Sequence, residues 1–378
     1  MAQSAVQTGL QGVVAAPSAI CYIDGEQGIL SYRGYDIRDL AAQATYEEVA
    51  YLLLMGELPT QQELERFQGE LVRRRPVPEA VWNVLAAVAQ HDEPMAVLRT
   101  GVSVLGQYDP LAGQTSREAA LEQALNLIAQ VPTLVAGIAR LRRGQEPLPA
   151  DEAPSVARSF LTMLKGEPPS DLQARALDIA LTLHADHEFN ASTFAARVTA
   201  ATLSDMYSAI TAAVGALKGP LHGGANQRAM EMLMTIGEPE KAEGWVREKL
   251  ARKEKIMGIG HRVYKTYDPR ARFLKEMAEH LSAEVGEDRW YRIATEVERV
   301  VLEVLGEKAL YPNVDFFSGI CYHVMGIPTE LFTPIFAMSR VSGWTAHVVE
   351  QYENNRLIRP RAEYTGPTLR PFIPLGQR

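Results

Sequence analysis

The sequence predicts an all-α protein that carries one small β-hairpin near its N-terminus. Two observations support this. Apolar residues recur at helical spacing in segment after segment, whereas strand-like alternation is confined to one early stretch. The breaks between periodic segments are short and marked by Gly or Pro, as in "KGPLHGGAN", "IMGIGH" and "LYPNVD".

Taken in order, "SAICYIDGEQGILSYRGYDI" places Asp24 and Gly25 between two short alternating apolar runs, a hairpin signal. Helical periodicity rich in Ala, Leu, Glu and Arg then runs through "YEEVAYLLLMGEL", "PEAVWNVLAAVAQH", "DLQARALDIALTLHADH" and the long "FAARVTAATLSDMYSAITAAVGAL". It continues through "NQRAMEMLMTI", "EGWVREKLARKEKI", "PRARFLKEMAEHL" and "RWYRIATEVERVVLEVL". In the penultimate helix of this series Asp268 and Pro269 have the form of an N-cap and first helical residue. "FFSGICYHVM" has Asp315 as its candidate cap, and in "TPIFAMSRVSGWTAHVVEQYE" Thr333 and Pro334 read as cap and first residue. The longest weakly polar run, "MYSAITAAVGAL", is far short of the roughly 20 residues needed to span a bilayer.

At 378 residues the chain has room for two domains or one large one. No repeat, low-complexity tract or long linker divides it, so a second domain must be defined by packing. Loops with unusual polar residues concentrate between Gly219 and Gly326, the candidate smaller unit. A balance of 38 basic to 46 acidic residues argues against a nucleic-acid binder, which needs a positive face to displace counterions. Cys21 and Cys321 have no neighbours at metal-ligand spacing, which fits small apolar fillers in a reducing compartment. "MAQSAVQTGLQG" lacks the features of a signal or transit peptide, so the expected location is the cytoplasm.

Against this acidic background, "GIGHRVYKTYDPRAR" gathers a histidine and four permanent cations into residues 258–272. Arg270 falls in a helical first turn, where the macrodipole opposes a cation. Such a local conflict fits a carboxylate or phosphate receptor, and the run fits equally a solvated basic face, the role assigned to Arg272. His261 follows Gly258 and Gly260, and His222 lies in the Gly-rich "GPLHGGAN", so two imidazoles sit where backbone and ligand can approach closely. Asp315, beside two phenylalanines, is a candidate general base, since desolvation raises a carboxyl pKa. His184 and His187, three apart on one helical face with Asp186 and Glu188 nearby, are a weak metal candidate. Arg340 lies in an apolar helix and needs an anionic partner, from within the protein or from a substrate.

"LHGGAN", "GIGHRVYKTYDPR", "PNVDFFSG" and "FTPIFAMSRVSGW", in that order, resemble citrate synthase. The N-terminal "GVVAAPSAICYIDGEQGILSYRGYDI" and C-terminal "IRPRAEYTG" are also similar, so the resemblance covers nearly the whole chain. It implies a homodimer with shared active sites, a large helical domain of residues 1–220 and 327–378, and an inserted small domain of residues 221–326. It implies condensation of oxaloacetate with acetyl-CoA and hydrolysis of citryl-CoA, with no metal and no cofactor besides the CoA thioester substrate. By motif, Asp315 is then the base, His222 hydrogen-bonds the thioester oxygen, His261 polarises the oxaloacetate carbonyl, and Ser192 lies near the reacting centre. His187, Arg270, Arg340 and a partner-subunit arginine, Arg359 or else Arg361, hold the carboxylates. Ile256, Met257, Gly258, Ile259 and Gly260 read the adenine, Lys265 meets CoA phosphates, and Lys308 and Asn313 are further CoA contacts.

The chain lacks the long N-terminal extension of the hexameric branch, which leaves a simple dimer as the expectation. The same motifs occur in 2-methylcitrate synthases, which use propionyl-CoA. A helical metal-dependent phosphohydrolase built on His91, Asp92, His184 and His187 would leave Asp315, Arg270 and Arg340 without roles. A non-catalytic scaffold would leave the Gly-flanked histidines unexplained.

Overall fold

A computed structural model describes residues 8–10, 12–305 and 310–378. Three short strands, β1 (Cys21–Asp24), β2 (Ile29–Tyr32) and β3 (Tyr35–Asp36), form one antiparallel sheet in the order β1-β2-β3. The expected hairpin at Asp24 and Gly25 is its first half: Asp24 Oδ1 accepts the N–H groups of Glu26 and Gln27 and closes the turn. A second, tighter turn adds β3, with Arg33 and Gly34 both at positive φ as a two-residue hairpin requires.

The rest is helical. The first group is α1 (Ile37–Gln43), α2 (Tyr46–Met55), α3 (Gln61–Arg74), α4 (Glu79–Ala86), α5 (Pro94–Leu105) and α6 (Arg117–Arg142). It continues with α7 (Val156–Lys165), α8 (Asp171–His184), α9 (Ala191–Ala200) and α10 (Met206–Leu217). Then come α11 (Ala225–Ile236), α12 (Pro239–Ala251), α13 (Ala271–Val285), α14 (Arg289–Leu305), α15 (Val314–Val324) and α16 (Phe332–Glu353). Local chemistry sets many of these ends. Thr45 with Glu48 and Thr60 with Glu63 form reciprocal capping boxes, and Gly56, Gly166 and Gly286 close helices in the left-handed conformation.

Several expected boundaries move. The long run before Leu217 breaks into α9 and α10, because Leu203 takes positive φ and Asp205 caps the second helix through the Ser208 N–H. The helix expected from Pro269 begins at Ala271, since Asp268 closes a tight turn onto the Arg270 N–H instead of capping a helix that starts with proline. The cap of α15 is Asn313, not Asp315, and α16 starts at Phe332, straight after a 3₁₀ turn at Thr329–Leu331. The most apolar long segment is α6, not α10. By length and composition α6 could cross a membrane, but 83% of its apolar stretch is buried inside the fold, as in a core helix.

The centre of the molecule is α16, buried along most of its length and packed against α2, α6, α8, α9 and α10. A second set of helices, α11 to α15, packs largely within itself, with α13 and α14 laid against α15 and α12 respectively. It meets the first set where α13 and α15 lie on α8 and where α11 touches α16. The polar loops after α8, α10 and α12 converge at that junction.

Candidate active site

Three connections place the 256–267 loop. Gly260 N–H donates to Tyr311 O at 2.8 Å, Asn313 N–H donates to Gly258 O at 2.9 Å, and Ile259 bridges Pro312. These pin the loop antiparallel to the segment that leads into α15, so His261 and Asp315 are held by one backbone clasp. Gly258 has φ 77, and a Cβ there would lie 2.8 Å from the Phe316 ring, so the close packing beside Asp315 requires glycine. On its other side the loop docks on the β1–β2 turn. Lys265 N–H donates to Gly25 O at 2.9 Å, where any Cβ on Gly25 would collide with the Val263 carbonyl.

The hydrogen bonds of the two imidazoles fix their tautomers. His261 Nδ1 accepts the N–H groups of Val263 (3.1 Å) and Tyr264 (3.3 Å), so its ring proton belongs on Nε2. His222 Nε2 accepts the Ser192 N–H at 3.2 Å and lies 2.7 Å from Ser192 Oγ, which puts its ring proton on Nδ1. Ser192 is itself buried in the first turn of α9 and accepts the Trp344 indole N–H at 3.1 Å. Burial, reinforced by Arg270 beside His261 and by Arg340 beside His222, pushes both pKa values down to about 4. Both rings are therefore neutral at pH 7, each with one N–H to donate.

Asp315 occupies the second position of α15, and its carboxylate has no hydrogen-bond partner among the described residues. Burial raises its pKa to about 6, with Arg270 opposing and Asp268 assisting. It is ionised at neutral pH yet far more basic than an ordinary aspartate.

The two expected anion receptors differ. Arg270 is buried and grips Asp268 through Nε at 3.0 Å and Nη2 at 2.9 Å, and Asp268 also accepts the Val314 N–H at 3.1 Å. Burial works against the Arg270 charge, but Asp268 outweighs it and holds the pKa above the ordinary value. Arg340 is only 1% exposed, donates from Nε to His184 O at 2.5 Å and lies 4.6 Å over the Phe336 ring. No carboxylate among the described residues forms an ion pair with it, and burial lowers its pKa. A buried guanidinium with that much unused donor capacity has the chemistry to take up an anion.

His187 lies between these groups, 3.1 Å from Tyr264 Oη, with its ring edge-on to His261 at 5.4 Å between centroids. Burial and then Arg270 push its pKa well below 6.5. It does not share a helical face with His184, because α8 ends at His184 and His187 sits in the loop beyond. His184 instead turns Nδ1 to Ala180 O inside its own helix, so the two histidines point to different partners. His91 and Asp92 are exposed in the turn before α5.

Other expected residues occupy varied positions. Lys265 is exposed at the rim and Ile256 is buried, while Met257 and Ile259 pack partly against the core. Asn313 uses its amide internally, accepting from Asp315 N–H and donating to Gly260 O at 2.8 Å. Arg272 is exposed and stacks on Tyr267. Arg359 and Arg361 lie on an exposed C-terminal tail, and Lys308 lies outside the described residues. Tyr264, Asp268 and Trp344 were missed as site residues. Asp268 alone carried a signal, an acidic residue two positions from Arg270, and was read as a cap.

Residues 9–361 match the family described as "Citrate synthase, C-terminal domain". Citrate synthase 2 of Bacillus subtilis is 51% identical over 98% of both chains, and a 2-methylcitrate synthase of Shewanella oneidensis is 45% identical over 98% of this chain and 97% of its own. The crystal structure of citrate synthase from Pyrobaculum aerophilum superposes with a TM-score of 0.94 at 45% identity, covering 100% of this chain and 97% of that one. A ternary complex of carboxymethyl coenzyme A and oxaloacetate with citrate synthase from Thermoplasma acidophilum gives 0.91 at 38% identity, over 99% of each chain. The chain belongs to the citrate synthase family and is an enzyme of its acyltransferase type.

Proposed function

We propose that this enzyme condenses oxaloacetate with acetyl-CoA through an enol or enolate and then hydrolyses citryl-CoA to citrate and CoA. The observation that carries this reading is the pair of neutral imidazoles with opposite, fixed tautomers, one of them on a loop clasped to the segment that carries a carboxylate of raised pKa. A thioester α-proton is far less acidic than a carboxylic acid, so Asp315 removes it only if the developing oxyanion meets preorganised donors. His222 Nδ1–H supplies one such donor to the thioester oxygen. His261 Nε2–H donates to the ketone oxygen of oxaloacetate and passes its proton there as the carbon–carbon bond forms. Arg340, Arg270 and His187 receive the substrate carboxylates, and Arg340 gains the anion its burial lacks. The 256–260 backbone and Lys265 receive CoA. These residues provide base and electrophilic assistance themselves, so no metal or organic cofactor enters the proposal.

The same reading takes residues 221–326 as a smaller domain set into a larger one of residues 1–220 and 327–378, with the active site at their junction. It also takes the protein as a cytoplasmic homodimer. Supporting the dimer, the tail after α16 is extended and carries Leu369, Phe372 and Leu375 at 80% exposure or more, apolar area that a second copy would cover. Arg359 on this tail would then complete the partner's carboxylate site. Both thiols are free, which suits a reducing compartment.

CoA-thiol release in the presence of oxaloacetate tests the function. Acetyl-CoA is expected to be the better substrate, and no release from either acetyl- or propionyl-CoA refutes the reading. A strong propionyl-CoA preference would favour 2-methylcitrate synthesis, since one methylene in an apolar pocket discriminates by only about 1–3 kcal/mol.

A further inference from the structure

Arg228 has no part in the chemistry above, yet its side chain reaches the loop that carries His222. It lies in the first turn of α11, where the macrodipole opposes a cation. Its guanidinium folds back past the helix start, with Nε donating to Gly224 O at 3.2 Å. Nη2 reaches Pro220 O at 2.5 Å and Gly223 O at 3.4 Å. These three carbonyls bracket His222.

The bracketed loop needs bracing. Gly219, Gly223 and Gly224 give it more backbone freedom to lose than any other residue type would, and Gly224 is held at φ 76. Leu221 at its tip is fully exposed and anchors nothing. The neighbouring cations are engaged elsewhere, Lys218 with Glu93 and Arg142 with Glu330. Arg228 forms no ion pair among the described residues and directs its fork at the loop carbonyls.

We propose that Arg228 is a positioning residue: its guanidinium clamps the carbonyls of Pro220, Gly223 and Gly224 so that His222 stays seated on Ser192. A donor held to a developing oxyanion loses its effect with small displacements, so a clamp on a glycine loop bears directly on turnover. The task needs a planar fork that reaches several acceptors at once, which lysine, a single point donor, does not provide. The kinetic consequence rests on the citrate synthase reading, whereas the clamp itself does not.

The test uses full-length Arg228→Lys and Arg228→Gln. Lysine keeps the positive charge near Asp315 and removes the fork, which separates positioning from electrostatics. Both variants are expected to lower kcat about 10- to 100-fold and to leave the oxaloacetate KM within about twofold of the parent. In NMR titrations of ¹³C-labelled histidines, His222 should move up from about 4 toward its ordinary 6.5 as it leaves the buried seat on Ser192 and gains solvent. An unshifted His222 titration, or a Lys variant with kcat within about twofold of the parent, overturns the proposal. Loss of folding in both variants also overturns it and assigns Arg228 a purely structural role. An inactive parent would refute the citrate synthase reading, while the titration still decides the clamp.

Discussion

Replacing Asp315 by Asn separates the cost in stability that this carboxylate carries from its proposed role as base. Burial raises its pKa from 3.8 to about 6, which at 1.36 kcal/mol per pKa unit corresponds to about 3 kcal/mol. Asp315 as a whole residue is only partly buried, so screening brings the expected figure to about 1–3 kcal/mol. The sign follows from proton binding. The native state holds this proton more tightly than the unfolded chain, so the penalty is absent below the unfolded pKa of 3.8 and complete above about 6. Stability therefore falls as pH rises through that window, and asparagine, which does not titrate, escapes the fall. Asp315→Asn should match the parent near pH 4 and exceed it by about 1–3 kcal/mol at pH 8. Its kcat should drop by at least about 10²- to 10⁴-fold with the general base gone. Denaturant unfolding at fixed protein concentration across this pH range, with a thiol-release assay alongside, measures both. A variant no more stabilised at pH 8 than at pH 4 would refute the desolvated carboxylate, and retained turnover would remove Asp315 as the base.

Arg340→Met tests the unpaired guanidinium. Losing a charge-assisted bond of about 1.5–3 kcal/mol should raise the oxaloacetate KM about 10- to 150-fold, and an unchanged KM would show that the buried charge serves the fold instead. Arg359→Gln combined with Asp315→Asn tests the shared site. Each homodimer should be inactive, and mixed dimers should recover one working site, whereas no recovery would place the arginine's action within its own subunit.

Much of this protein was legible locally. Helix-forming periodicity, the Thr45 and Thr60 capping boxes and the turn at Asp24 each depend on residues within a few positions, so sequence alone carries them. The misplaced starts of α13 and α16 show the limit. Asp268-Pro269 and Thr333-Pro334 look like caps in isolation, but Asp268 is drawn to Arg270 and to the Val314 N–H, 46 residues away. The identities of His222, His261, Asp315, Arg270 and Arg340 stood out as residue types that break the local pattern. Their protonation states did not. Which nitrogen of each ring carries the proton depends on backbone N–H groups: for His261, those of Val263 and Tyr264; for His222, that of Ser192, 30 residues away. The pKa of Asp315 and the missing partner of Arg340 depend on burial by helices distant in sequence. The sequence by itself therefore determined the helical class and the chemical groups available, because these are written in short-range spacing and residue type. Only the tertiary structure decided which groups are neutral, which are paired and which are buried without an ion-pair partner, because desolvation and hydrogen bonding are set by neighbours the chain brings together only on folding.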